Sequence, residues 1–137
     1  MTRRQKMETE SGIVLLAGAM VWGLVQMLWS STMARFEQGF DWGMGPRDEP
    51  RAITGKAARL DRAYRNFLET FPIFAAAMLA AIVTGSVGAL ALWGAHLYLW
   101  SRIAYTILYL LGVPVLRTVV WIVSVAGICM VIAAPLV

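Results

Sequence analysis

The sequence is short of the side chains from which most recognisable active sites are built. It holds one cysteine, Cys129, and one histidine, His96. A lone thiol cannot close a disulfide within the chain, and one Cys with one His is too few for a zinc or iron–sulfur site. Cys129, deep in an apolar run, is expected to be inert packing, because apolar surroundings raise a thiol's pKa. His96, isolated from other ligands, is likewise expected to be a packing residue near one membrane face. No glycine-rich loop precedes a helix, which excludes the usual phosphate cradle. Charge is scarce too: 15% of residues are charged, against about 25% in soluble domains.

What is present instead is apolar. The hydrophobic share of the 137 residues is 59%, against about 45–50% in soluble domains. One soluble domain of this size could not hide that surface. A bilayer can take it up, provided each span satisfies its own backbone hydrogen bonds.

The apolar runs divide at charges and turn residues. Ile13 to Trp29 is apolar apart from Gln26, Phe67 to Val83 apart from Glu69 and Thr70, and Ala89 to Leu111 contains Arg102. Val115 to Val137 is interrupted only by Arg117. Gly85-Ser86-Val87-Gly88 is a turn signal, and Gly112-Val113-Pro114 breaks the chain where proline suits a first helical turn. At roughly 20 residues per span, these runs predict a single-domain, all-α membrane protein with a four-transmembrane-helix bundle. Its helices fall at about 11–34, 57–84, 88–111 and 114–136. The second begins in water and enters the membrane near Asn66, with a kink at Pro72 just past Glu69. The first helix is expected to be retained rather than cleaved as a signal peptide. Glu8 and Glu10 interrupt its basic start, and its apolar run exceeds the usual 7–15 residues or so.

Basic residues set the expected orientation. Arg35, Arg47, Arg51, Lys56, Arg59, Arg62 and Arg65 crowd one connecting segment. The positive-inside rule places residues 35–65 in the cytoplasm and both termini on the far side. A sequence pI of about 9.7 therefore reflects topology and contact with anionic membrane lipid rather than nucleic acid.

Polar groups inside spans are costly and point to function by default. Arg59, Arg62, Asn66 and Glu69 are spaced three, four and three apart, which is one helical face. Tyr98, Arg102, Tyr105 and Tyr109 make a second face at four, three and four. Glu69 and Arg102 fall roughly 15 and 13 Å from the cytoplasmic ends of antiparallel helices, and Arg117 lies in the first turn of the last helix. These residues allow two readings. One is a ligand site. The other is a buried Glu69–Arg102 ion pair with interfacial arginines that snorkel.

The run Arg59 to Phe74, in the form R-x-x-R-x-x-x-N-x-x-E-x-x-P-x-F, resembles the signature of the MAPEG family, membrane-associated proteins of eicosanoid and glutathione metabolism. So does the later run of Arg102, Tyr105 and Tyr109 followed by Gly112-Val113-Pro114 and Arg117. Gly45-Pro46-Arg47-Asp48-Glu49-Pro50 is similar to the first loop of bacterial members, which would place the chain in an inner membrane. The family includes microsomal glutathione transferases, leukotriene C4 synthase and the lipoxygenase-activating protein. The resemblance implies a homotrimer of four-helix bundles with glutathione, as co-substrate, held between subunits. It implies that Arg59, Arg62, Asn66, Glu69, Arg102, Tyr105 and Tyr109 bind glutathione and that Arg117 activates its thiol. Arg35 is similar to a further arginine at the end of the family's first helix. Thr70 departs from the pattern, standing where leukotriene C4 synthase has a tyrosine.

The chemistry suits these residues. Glutathione offers two carboxylates, which arginine pairs with bidentately, and an ammonium that Glu69 can accept. The expected activity is a glutathione transferase or peroxidase acting on hydrophobic electrophiles concentrated in the bilayer. Two other classes remain open at this point. One is a non-catalytic member that binds a lipid or amphiphile in the inter-subunit crevice, and the other is a purely structural membrane subunit.

Overall fold

The computed structural model describes residues 1–137 and is built from helices alone. Helix α1 spans Arg3–Gln38, the short α2 Phe40–Met44, α3 Gly55–Val83, α4 Ala89–Leu111 and α5 Pro114–Ala133, followed by a 3-10 turn, Ala134–Leu136. Three stretches are long and apolar enough to cross a membrane: Arg3–Gln38, Gly55–Val83 and Pro114–Leu136. Together they make this a helical membrane protein. Helix α4 is 23 residues long, but His96, Arg102 and its tyrosines are spread along it, so it has no uninterrupted stretch as apolar as those three.

Helix α1 starts eight residues before the expected boundary at 11. The cause is local. Thr2 Oγ1 accepts from the backbone N–H of Gln5 at 3.2 Å, and Gln5 Oε1 accepts from the N–H of Thr2 at 2.8 Å. This reciprocal cap satisfies two donors that a helix start leaves orphaned. At 36 residues the helix is roughly 54 Å long, well beyond the roughly 30 Å of a hydrocarbon core, so it projects out of the membrane. Pro72 sits inside a helix that runs on unbroken to Val83.

The core lies where α1, α3 and α4 meet. Phe74, Met78, Ala91, Ala95 and Tyr98 are fully buried, and the Phe74 and Tyr98 rings stack at 4.1 Å. Helices α4 and α5 approach most closely at Gly94 and Gly127. A Cβ on either would lie 2.6 Å from the carbonyl oxygen of the other, so only glycine allows this crossing. The outward surface is apolar, with Val14, Val21, Leu28, Ile73, Leu79, Trp93 and Ile122 exposed. Such a surface suits lipid and not water.

Two expected packing residues are corrected. Cys129 is exposed, on the outer side of α5. His96 is exposed as well, beside the Trp93 ring at 6.5 Å. Apolar neighbours in sequence imply burial in a soluble core. In a spanning helix they face lipid as readily.

Candidate functional site

All the arginines expected in the site sit at one end of the bundle. There the last turns of α1 and α4 meet the first turns of α3 and α5. Helix α3 presents its stripe to α4 one rung at a time. At the outermost rung Arg59 Nη1 lies 3.4 Å from the carbonyl of Leu110. Next, Arg62 Nε donates to the Tyr109 hydroxyl at 3.2 Å, with its guanidinium 5.8 Å from that ring's centre. Deeper still, Asn66 Oδ1 accepts from Arg102 Nη1 at 2.7 Å. Asn66 Nδ2 in turn lies 3.2 Å from Glu69 Oε2.

No ion pair joins Glu69 to Arg102. The three ion pairs in the chain are Arg4–Glu8, Lys6–Glu10 and Asp61–Arg65. The direct Glu69–Arg102 pair allowed by the sequence is therefore replaced by a relay through the Asn66 amide. The physical reason is burial. Arg102 is 1% exposed, whereas the Glu69 side chain is exposed, so the two stand at different distances from the helix interface despite matching depths.

Arg102 is clamped between two aromatic faces, 5.6 Å from the Tyr98 ring and 5.5 Å from the Tyr105 ring. Its Nη1 is satisfied by Asn66, but Nε and Nη2 are buried without a partner. A buried charge with free donors is expensive to maintain. Its remaining donors call for an acceptor.

Helix α5 supplies the other wall. Val113 and Pro114 start α5 at once after α4, with Gly112 in the left-handed conformation at φ +76 that favours glycine. The tight reversal folds Arg117 back onto α4, its guanidinium 4.3 Å from the Tyr109 ring centre. The Tyr105 and Tyr109 rings meet edge to face at 5.6 Å. Beside Tyr105 opens a cavity of about 160 Å³ lined by Asn66, Tyr105, Arg117, Thr118 and Trp121. The expected residues thus converge on one locus: Asn66, Tyr105 and Arg117 line the cavity, Arg102, Tyr109 and Glu69 contact its lining, and Arg62 reaches Tyr109 one step further out. Arg59 stands one rung outside, against Gly112. Arg35 does not join them. It lines a different cavity on the α1 side.

Residues 15–137 match the family model of MAPEG. The chain belongs to the MAPEG family. No curated protein matches it. The match covers every helix from the fourth turn of α1 onward, so the stripe on α3, the tyrosines on α4 and Arg117 on α5 all lie inside the MAPEG region.

One polar pair behind this cluster was not foreseen. Gln26 on α1 is fully buried and accepts at Oε1 from Thr106 Oγ1 at 2.8 Å. The same hydroxyl lies 3.1 Å from the backbone carbonyl of Arg102. Helix α1 thereby grips α4 one turn from the central arginine. Gln26 is the only polar residue between Ile13 and Trp29, and that isolation inside an apolar span was the available signal.

Proposed function

We propose that this MAPEG chain is a membrane-embedded, glutathione-dependent transferase that acts on hydrophobic electrophiles. In this reading it crosses the bilayer four times and works as a homotrimer, with the α3 stripe turned toward a neighbouring subunit and not toward lipid. The observation that carries the reading is Arg102. A guanidinium almost fully buried, with two nitrogens lacking acceptors, stands beside a polar cavity that also receives Arg117. A carboxylate entering there would satisfy it.

The roles follow from chemistry. Arg62 and Arg102 suit the carboxylates of glutathione, with Arg59 at the rim. Glu69, exposed and bound to no cation in the chain, suits the ammonium. Asn66 orients Arg102, and the hydroxyls of Tyr105 and Tyr109 donate to the peptide. Arg117, held at the cavity wall by the Tyr109 ring, favours thiolate over thiol. Lowering a thiol pKa from about 8.5 to about 6.5 takes roughly 2.7 kcal/mol of differential interaction. A guanidinium within a few ångströms in a partly dry site supplies that order of energy. The thiolate sulfur then forms a bond to the electrophilic carbon, the leaving group departs with its electron pair, and the thiol proton passes to water.

The test is difference absorbance at the thiolate band when glutathione is added to the purified protein at neutral pH. Growth of the band, saturating with glutathione, is expected. Binding without the band would make the chain a binder and not an enzyme. Mass measurement in mild detergent tests the trimer, and a stable monomer that binds glutathione would exclude the inter-subunit site.

A further inference from the structure

Helix α4 has a second face. Trp93, His96 and Trp100 are spaced three and four apart and all are exposed. They lie about half a turn round the helix from Arg102, Tyr105 and Tyr109, so this face looks away from the arginine site. His96 stands seven residues into α4, roughly 10 Å from its start. A polar side chain at that depth on an outward face is costly unless something partners it. Nothing in the chain does. The imidazole enters no side-chain hydrogen bond and no ion pair, and the Trp93 ring stands beside it at 6.5 Å.

The space around the imidazole is hollow. On one side it shares a cavity of about 530 Å³ with Glu8, Trp93 and Trp100. On the other it shares one of about 500 Å³ with Glu10 and Ser11. Trp93 is 66% and Trp100 62% exposed, so the two indoles stand as open walls. The mouth is built by the projecting start of α1. A Cβ on Gly12 would lie 3.2 Å from Cγ1 of Val87, in the turn before α4. Glu8 and Glu10, nearer the start of α1, therefore stand beyond the end of α4. Trp100 is deepest, eleven residues into α4 or roughly 17 Å, close to the roughly 15 Å depth of one hydrocarbon leaflet. Charges of both signs meet at the mouth. Arg4 Nε lies 2.9 Å from Glu8 and Lys6 Nζ 3.9 Å from Glu10. Such exposed one-turn pairs are weak, so a ligand carrying both signs can enter them.

Anchoring by tryptophan at a membrane surface accounts for the indoles, but not for an unpartnered imidazole between them with carboxylates above. We infer that the cleft between the start of α1 and the outer face of α4 binds one zwitterionic phospholipid whose head ends in a primary ammonium. The ammonium sits against the Glu8 carboxylate and the Trp93 ring and donates to the free nitrogen of His96. The phosphate meets Arg4, and an acyl chain runs past Trp100. Charge and hydrogen bonding decide for this occupant. An anionic lipid brings no cation to the carboxylates. A choline head brings a cation but no N–H for the imidazole. An apolar helix of a second copy leaves the imidazole and the mouth charges without partners. The site lies on the opposite face of α4 from Arg102 and does not depend on glutathione binding.

The test uses the full chain, stripped of lipid in mild detergent, and counts bound lipids by native mass spectrometry. The probes are phosphatidylethanolamine, its N-methyl and N,N-dimethyl forms, phosphatidylcholine and phosphatidylglycerol, all with identical acyl chains. Phosphatidylethanolamine is expected to bind at about tenfold lower concentration than phosphatidylcholine, the order of one charge-assisted hydrogen bond. Binding should weaken stepwise as methyl groups replace N–H, a series that needs no variant. His96→Phe keeps an aromatic ring and should abolish the preference for ethanolamine over choline. Glu8→Gln should weaken both of those lipids and leave phosphatidylglycerol no weaker. Equal binding of ethanolamine and choline lipids by the unaltered chain would overturn the site, as would tighter binding of phosphatidylglycerol or a preference that survives His96→Phe. So would efficient cross-linking between chains at Trp93→Cys, in a Cys129→Ala background, that added phosphatidylethanolamine does not reduce.

Discussion

Arg102 reaches Asn66 at 2.7 Å and not Glu69. The carboxylate is joined to the guanidinium only through the Asn66 amide, 3.2 Å away. This geometry assigns opposite consequences to two neighbouring substitutions. Asn66→Ala removes the one side-chain acceptor of a buried charge and should lower stability by about 1–3 kcal/mol or more. Glu69→Gln breaks no ion pair and should cost under about 1 kcal/mol, far from the roughly 3–5 kcal/mol of a broken buried pair. Its effect should fall on glutathione affinity instead. Thermal unfolding and glutathione titration on both variants measure this, and a large loss of stability in Glu69→Gln would restore the direct pair.

Arg117 should separate binding from activation. In Arg117→Ala the affinity for glutathione should stay within a few-fold, because Arg62, Arg102 and Glu69 remain. The pKa of the bound thiol should rise by about one to two units toward the free value near 8.5. The sign is fixed by charge: a guanidinium stabilises thiolate, so its loss moves the activity–pH midpoint upward and lowers turnover at neutral pH. A midpoint unchanged in the variant would detach Arg117 from the sulfur.

Gly94 offers a test of packing alone. Gly94→Ala places a methyl 2.6 Å from the Gly127 carbonyl oxygen, a backbone atom that cannot swing aside. The cost should be about 1–3 kcal/mol, read as a lowered unfolding midpoint in detergent. Gly88→Ala is the control. Nothing lies within 4 Å of its added Cβ, and the midpoint should barely move.

Orientation is tested by labelling from outside intact cells. With Cys129→Ala as background, Gly45→Cys should stay unlabelled by an impermeant maleimide, because the basic segment from Arg35 to Arg65 is expected in the cytoplasm. Labelling at this position would invert the topology.

The site was legible in the sequence where it obeys helical periodicity. The three-four-three spacing of Arg59, Arg62, Asn66 and Glu69 and the four-three-four spacing of the α4 stripe state which residues share a face, and the structure brings those faces together. What spacing cannot state is how far each side chain reaches. For that reason Asn66 was one member of a stripe and not recognisable as the link between Glu69 and Arg102. Short helices escape periodicity altogether, so the five residues of α2 were hidden in a polar segment. Gln26 was visible only as a flaw in an apolar run, since its partner Thr106 lies 80 positions away.

The reversal at Gly112 has a consequence for how the molecule is made. Two residues, Gly112 and Val113, separate α4 from α5, the shortest connection between long helices in the chain and therefore the smallest loop to close. Helices α4 and α5 also interlock at Gly94 and Gly127. Local contacts of this kind form early, ahead of those between distant parts of a chain. By that rule the α4–α5 hairpin is expected to form first, bringing Arg102 and Arg117 together with the Tyr109 ring over one of them, so that the wall holding the cations would precede the docking of α1 and α3.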